Sequence, residues 1–231
     1  MNIMIQIDSS QIQTLSQTRF IIVRHGETEW NVQEREMGQL DSPLTPNGLA
    51  QAMQLAARLE DVHLAAFYSS DLGRAAATSA MIAKRRAIEV SFDIRLRERN
   101  MGIFQGLTVA GMRDRHPKER ADYERIGFDY VIPGGESARQ RVERTMTCLN
   151  ELAVRHQGGT VLIVTHGGIL TGLFQHVLGM SPESSRRFRR PNAAVNVFIC
   201  EEGQWILETW GDISHLAGIA TLDDPAEKTG Y

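Results

Sequence analysis

Short apolar runs recur along the chain, separated by stretches in which apolar residues return every three or four positions. Six runs read as strands: RFIIVR (19–24), AAFYSS (65–70), IEVSF (88–92), TVLIVT (160–165), AVNVFIC (194–200) and WILETW (205–210). Most lack the strict alternation of a half-solvated strand. Apolar residues on both sides of a strand indicate burial on both faces, as in a parallel sheet covered by helices.

The intervening stretches carry helix signals. LTPNGLAQAMQLAARL places Thr45 at an N-cap and Pro46 at the first helical position, with Leu49, Ala52, Met53, Ala56 and Leu59 on one face. SSDLGRAAATSAMIAKRR offers Ser70 or Asp71 as cap and ends on Lys84, Arg85 and Arg86, which suit the negative end of a helix. ESARQRVERTMTCLNELAVRHQGG opens with Ser137 and Gln140 at capping-box spacing, stripes through Val142, Met146, Leu149 and Ala153, and meets a stop at Gly158. GGILTGLFQHVLGM is apolar nearly all round, as a buried helix would be. Strands alternating with helices predict an α/β fold, doubly wound, with a mostly parallel central sheet and helices on both faces. Residues 1–18 read as a flexible N-terminal extension and 19–231 as one catalytic domain. Residues 102–136 break the rhythm with Pro117, Pro133 and scattered Arg and Lys, and read as an insert or lid without a core of its own.

Composition narrows the class. The chain has 231 residues, 42% hydrophobic and 23% charged, which is ordinary for a globular domain. A net charge of −3 argues against a bulk basic surface for nucleic acid. No apolar run is long enough to cross a bilayer, and the N-terminus has neither the basic start nor the apolar core of a secretory signal. Cys148 and Cys200 form no metal or redox motif and read as buried apolar residues in a reducing, cytoplasmic setting. The sequence is compatible with a homo-oligomer.

The candidate chemistry lies at strand ends. In an open α/β sheet, ligands gather at the carboxyl ends of strands, beside helix N-termini. Arg24 and His25 end the first strand; Arg74 opens the helix after the second; Glu98 follows the third; His166, Gly167 and Gly168 end the fourth and open the buried helix. Two arginines can fork a phosphate dianion. A neutral imidazole in line with phosphorus can accept a phosphoryl group covalently. A protonated carboxylic acid can give the leaving alkoxide its proton, and cations beside His25 with a dianion beside Glu98 would favour the required protonation states. Taken alone, His166 could be a core histidine, and Glu98 could belong to a solvated cluster with Arg95, Arg97 and Arg99. His63, His116, His156, His176 and His215 show no ligand spacing, so no metal site and no cofactor are expected. SSRRFRRPN (184–192) reads as a solvated helix end, and Arg113, Arg115 and Arg120 of the insert are candidates to meet the rest of an anionic substrate.

RHGETEWN, DSPLTPNGLAQA, SSDLGRAAATSA, RLRERNMGIFQG, PGGES, VTHGG and GDISHL, in that order, resemble the histidine phosphatase superfamily, within it the bacterial phosphoglycerate-mutase-like phosphatase branch. The resemblance covers nearly all of the chain after residue 18. It implies a phosphohistidine at His25, a phosphate clamp of Arg24, Arg74 and His166 with the amide of Gly167, a polar contact from Asn31, and Glu98 as proton donor and later base. It also implies a small-molecule phosphomonoester substrate. Met37 departs from the family, in which a Gln or small hydroxyl residue precedes the glycine, and leaves only the backbone of Gly38 to make that contact. A metal-independent phosphomonoester hydrolase leads. The short span between Glu98 and His166 sets it above a cofactor-dependent phosphoglycerate mutase, and the intact His25, Glu98 and His166 set it above a silent phospho-ligand binding module.

Overall fold

The structure, a computed structural model, describes residues 17–181 and 187–222. Its elements run β1 (Thr18–Arg24), α1 (Glu29–Val32), α2 (Pro46–Arg58), β2 (Ala66–Ser69), α3 (Gly73–Arg86), β3 (Ser91–Phe92), α4 (Val109–Arg115), α5 (Pro117–Ile126), α6 (Ala138–Arg155), β4 (Thr160–Thr165), α7 (Gly167–Val177), β5 (Val195–Glu201) and β6 (Gln204–Asp212). They build one sheet in the order β3-β2-β4-β1-β5-β6. β3, β2, β4 and β1 are parallel, and β5 and β6 join antiparallel. The expected α/β architecture is present, with β1 and β4 at its centre.

The continuous apolar runs cover both faces. On β1, Phe20 and Ile22 face α6 and α7, while Ile21 and Val23 face α2 and α3; β4 divides in the same way, Val161 and Ile163 against Leu162 and Val164. Two cores therefore lie on opposite sides of one sheet. β1 begins at Thr18, one residue before the expected start, because the Thr18 hydroxyl donates to Ala153 O at 2.7 Å and the residue pairs with Cys200. Residues 1–16 of the N-terminal extension lie outside the described residues. Both cysteines are buried and free.

The capping signals hold at Thr45 and at the Ser137–Gln140 box. The face of α2 holds in part: Ala52, Ala56 and Leu59 are buried as expected, but the face is rotated. Gly48, Gln51, Ala52, Leu55 and Ala56 turn inward, whereas Leu49 and Met53 are exposed. Gln51 sets the rotation: its Oε1 accepts from Glu27 N at 2.9 Å and its Nε2 donates to Ala220 O at 2.8 Å. Close approach of Gly48 to Glu27 adds to this, since a Cβ on Gly48 would lie 2.0 Å from Glu27 O. Two glycines make that contact: a Cβ on Gly26 would meet Gly48 O at 2.5 Å.

The insert is better formed than its composition suggested. It contains α4 and α5, and Met101, Phe104, Met112, Tyr123 and Ile132 make a separate apolar cluster. Thus it has a small core of its own. Arg120 and Arg113 both pair with Glu124, and Arg120 lies over the Tyr123 ring, so these arginines serve the insert itself.

The α2 rotation is testable. Leu55→Ala should lower unfolding free energy by about 2–5 kcal/mol through the cavity it leaves. Met53→Ala, at a position 60% exposed, should stay within about 0.5 kcal/mol of wild type. Denaturant unfolding of both variants measures this; equal losses would contradict the observed face.

Candidate active site

The register between β1 and β4 assembles the site. Arg24 pairs with Thr165, and His25 N donates to Thr165 O at 3.0 Å. The next residues, His25 and His166, therefore leave adjacent strands side by side, with ring centroids 5.3 Å apart. Both are buried.

The His25 ring is oriented by its own loop. Its Nδ1 lies 2.8 Å from Gly26 O, and a carbonyl can only accept, so Nδ1 carries the proton and the lone pair is on Nε2. His166 Nε2 lies 2.7 Å from Ser70 Oγ, which itself accepts from Leu72 N. The serine hydrogen is then directed at Nε2, which puts the His166 proton on Nδ1, a buried atom without a partner. Burial, with the charges of Arg74, His25 and Arg24, holds the His166 imidazole well below its ordinary range, so it is neutral at physiological pH.

The two arginines are buried beside the histidines. Arg24 Nη1 donates to Arg190 O at 2.6 Å. Arg74 Nη1 donates to Leu40 O at 2.8 Å and to Asp41 Oδ1 at 3.0 Å, and Nη2 to Gly38 O at 2.8 Å. The Nε of Arg74 is buried without an acceptor. Asp41 also caps α3, accepting from Gly73 N at 2.6 Å. Neither Ser70 nor Asp71 fills that cap: Ser70 serves His166, and Asp71 takes Arg97. Gly38, in the left-handed region at φ 55°, meets Arg74 through its carbonyl. The Gly38 carbonyl thus helps to orient the Arg74 guanidinium. Met37 is buried, and its sulfur accepts from the Thr28 hydroxyl.

Glu98 stands apart from the arginines around it. Arg95 pairs with Asp93 and Glu151, Arg97 with Asp71, and Arg99 donates to Glu136 O and Tyr130 O. The solvated-cluster reading therefore fails. The Glu98 carboxylate instead accepts from Arg99 N through Oε1 and from Gly168 N, at the start of α7, through Oε2, each at 2.7 Å. Thr165 Oγ1 donates to Leu96 O at 2.8 Å and ties this segment to β4. Burial pushes the Glu98 carboxyl up, but the charge of Arg141, the Arg99 and Gly168 amides and the charge of Arg190 outweigh it, and the net direction is downward. In the unliganded protein Glu98 is ionised at neutral pH, the opposite of the state a proton donor needs.

Asn31 completes the capping box of α1 with Thr28, and its Oδ1 accepts at 3.3 Å from Asn192 Nδ2, which also donates to His25 O at 3.0 Å. Gly167 packs against Arg24 and Arg190: a Cβ there would lie 3.3 Å from Arg24 Nε and from Arg190 Cδ. Asn192 and Arg190 were missed in sequence, where they fell inside the segment read as a solvated helix end. The only signal was the Pro-Asn step before β5. Residues 184–186 of that segment lie outside the described residues.

Comparison with known proteins gives this arrangement a class. The histidine phosphatase superfamily (branch 1) matches residues 20–213, and the chain belongs to that family. It is 38% identical over 211 residues to the metal-independent phosphoserine phosphatase of Arabidopsis thaliana, covering 89% of this chain and 86% of that protein. It is 36% identical over 200 residues to the probable phosphoglycerate mutase GpmB of Salmonella typhi, covering 84% of this chain and 93% of that protein. The solved structure of Bacillus stearothermophilus YhfR superimposes with a TM-score of 0.79 at 34% identity, covering 86% of this chain and 98% of that one.

Gly168 offers a test of the Glu98 geometry. A Cβ on Gly168 would lie 2.1 Å from Glu98 Oε1. Gly168→Ala should therefore displace the carboxylate and lower kcat by roughly 10²-fold, the low end of what general acid–base catalysis supplies, with an unchanged circular dichroism spectrum. Turnover within threefold of wild type would show that the docked position of Glu98 is dispensable.

Proposed function

We propose that the protein hydrolyses small phosphomonoesters without a metal, through a phosphohistidine at His25. One observation carries this reading: His25, with its lone pair on Nε2, sits at a strand end beside His166, whose imidazole feels the charges of two buried arginines, Arg24 and Arg74, that donate to backbone carbonyls. Carbonyl partners fix a guanidinium without cancelling its charge, so both remain attractive to a phosphate dianion. The orphaned Nε of Arg74 and Nδ1 of His166 are donors that such an anion would satisfy. In this reading Nε2 of His25 attacks phosphorus, the P–O ester bond breaks, and Glu98 delivers a proton to the departing alkoxide. Water, deprotonated by the Glu98 carboxylate, then attacks the phosphohistidine and releases inorganic phosphate. Similarity to a metal-independent phosphoserine phosphatase supports hydrolysis.

Similarity to a probable phosphoglycerate mutase keeps phosphoryl return as the second reading. The two diverge only in what accepts the phosphoryl group from His25. His25→Ala should abolish phosphate release, because the covalent path loses its acceptor; activity within tenfold of wild type would remove His25 from the nucleophile's place. Wild type given 3-phosphoglycerate should release phosphate faster than it forms 2-phosphoglycerate, and the reverse order would make the mutase reading the better one.

The ionised state of Glu98 in the free protein gives a sharper expectation. A dianion bound alongside raises a carboxyl pKa. If Glu98 is the acid, inorganic phosphate should bind with proton uptake near neutral pH, and Glu98→Gln should abolish that uptake. Calorimetric titration in buffers of different ionisation enthalpy measures the protons exchanged. Glu98→Gln should also slow alkyl phosphates by roughly 10²–10⁴-fold while sparing the phosphorylation step with an aryl phosphate, whose phenolate leaves unaided. Equal losses for both in that step would take Glu98 out of the acid role.

A further inference from the structure

Glu98 docks its carboxylate on the amide of the residue that follows it, Arg99, as well as on that of Gly168. The Arg99 N–H and the Glu98 C=O belong to one planar peptide unit, and in its trans form the two groups point in opposite directions. Whatever grips the carbonyl therefore aims the amide at the carboxylate. The grip comes from Arg144 on α6, whose Nη2 donates to Glu98 O at 3.0 Å, with Gln39 Nε2 donating to the same oxygen at 3.2 Å. Arg144 Nη1 donates to Arg95 O at 2.7 Å, so one guanidinium spans the segment that leads to the acid.

Arg144 is itself held. Glu136, next to the Ser137 cap of α6, accepts from its Nε at 3.0 Å and from its Nη2 at 2.6 Å, a fork that fixes the guanidinium plane and balances its charge. The pair is half-buried. Glu136 also binds the chain just beyond Glu98. Its Oε1 accepts from Asn100 N at 2.8 Å, its N donates to Asn100 O at 3.0 Å, and its carbonyl accepts from Arg99 Nε at 3.0 Å. Gly135 permits this approach, since a Cβ there would lie 2.3 Å from Asn100 O. All three nitrogens of the Arg144 guanidinium thus have acceptors and its charge has a partner, so it offers little to an incoming anion. Its bonds instead set a position.

We propose that Arg144, fixed by Glu136, is a positioning residue: it orients the Glu98–Arg99 peptide and through it the Glu98 carboxylate. The assignment rests on the reading of Glu98 as acid and base. Glu136 closes the insert, so the same pair ties the insert to the acid. Without the grip the peptide can turn, and a misplacement of about 1 Å is enough to cost roughly 10²-fold in rate.

Arg144→Met in the full chain should lower kcat for an alkyl phosphate by roughly 10–10²-fold, with KM within about threefold of wild type. The phosphorylation step with an aryl phosphate, read in a single turnover, should change by less than about threefold, since that leaving group needs no proton. In a Glu98→Gln background the same substitution should cost less than about threefold, because a residue that acts through Glu98 has nothing left to act on. Arg144→Lys, which can still reach a carbonyl, should recover part of the loss. Equal slowing of the alkyl and aryl reactions, or a full additional loss on top of Glu98→Gln, would make the role of Arg144 merely structural and overturn the proposal. If Arg144→Met does not fold, Glu136→Gln takes its place: it keeps an acceptor for Asn100 N, loosens the fork, and should give a smaller loss with the same pattern. A second readout needs no turnover. In wild type the Arg99 amide proton, followed by NMR, should shift as Glu98 ionises, and either substitution should flatten that titration; an unchanged titration also overturns the proposal. Failure of wild type to release phosphate from any ester, an aryl phosphate included, would instead sink the hydrolase reading, and the Arg99 titration would still report on Arg144.

Discussion

The parallel pairing of β1 with β4 is the constraint on which the site depends. Six consecutive residue pairs, from Arg19 with Thr160 to Arg24 with Thr165, fix the ends of two strands level with each other. A shift of one residue would turn His25 or His166 to the other face of the sheet. The register is held from both sides, since Phe20, Ile22, Val161 and Ile163 are buried in one core and Ile21, Val23, Leu162 and Val164 in the other. Placing reactive groups to within about half an ångström requires supports of this stiffness. The ends of two central strands supply it better than a loop could.

The second constraint is charge. Two guanidinium groups buried at one rim repel each other and lose hydration, and carboxylates would be the simplest remedy. The structure uses few. Leu40, Gly38 and Arg190 offer carbonyls; among the described residues Asp41 is the carboxylate that pairs directly with Arg74, while the charge of Glu98 acts on it without a direct contact. Dipoles orient the donors without occupying them as counter-ions, which leaves the net positive charge for a ligand. Asp41 spends its second oxygen on Gly73 at the start of α3, so the same carboxylate fixes both the helix and the guanidinium emerging from it.

The sequence made much of this legible, for local reasons. Strand runs such as FIIV and VLIV, the Thr45 cap and the Ser137 box act over a few residues, and so could be read directly. Arg24, His25, Arg74, Glu98 and His166 were legible because the topology rule for open sheets brings strand ends together. What stayed hidden depends on partners far along the chain. The rotation of α2 follows from Gln51 reaching Ala220, the α3 cap from Asp41 crossing to Gly73, and the anchoring of His25 from Asn192. None of these residues carries a local signature. The helices of the insert were missed because their apolar residues are sparse and serve a cluster of only five buried side chains.

Glu98 shows why a site residue can be named from sequence while its state cannot. Its identity follows from position, but its ionisation follows from two amides and two arginines contributed by other segments. Those partners favour the carboxylate, which suits the second half of the proposed reaction, where a base must activate water. The first half needs an acid, and no residue on the protein supplies the change. A phosphate dianion entering between the arginines does: it offsets the positive charge that held the carboxyl down and adds repulsion of its own. Once the phosphoryl group has moved to His25 and the alcohol has left, the proton has gone with the product and Glu98 is again ionised. The substrate's own charge would thus set the order of acid and base steps, with no conformational change required of Glu98.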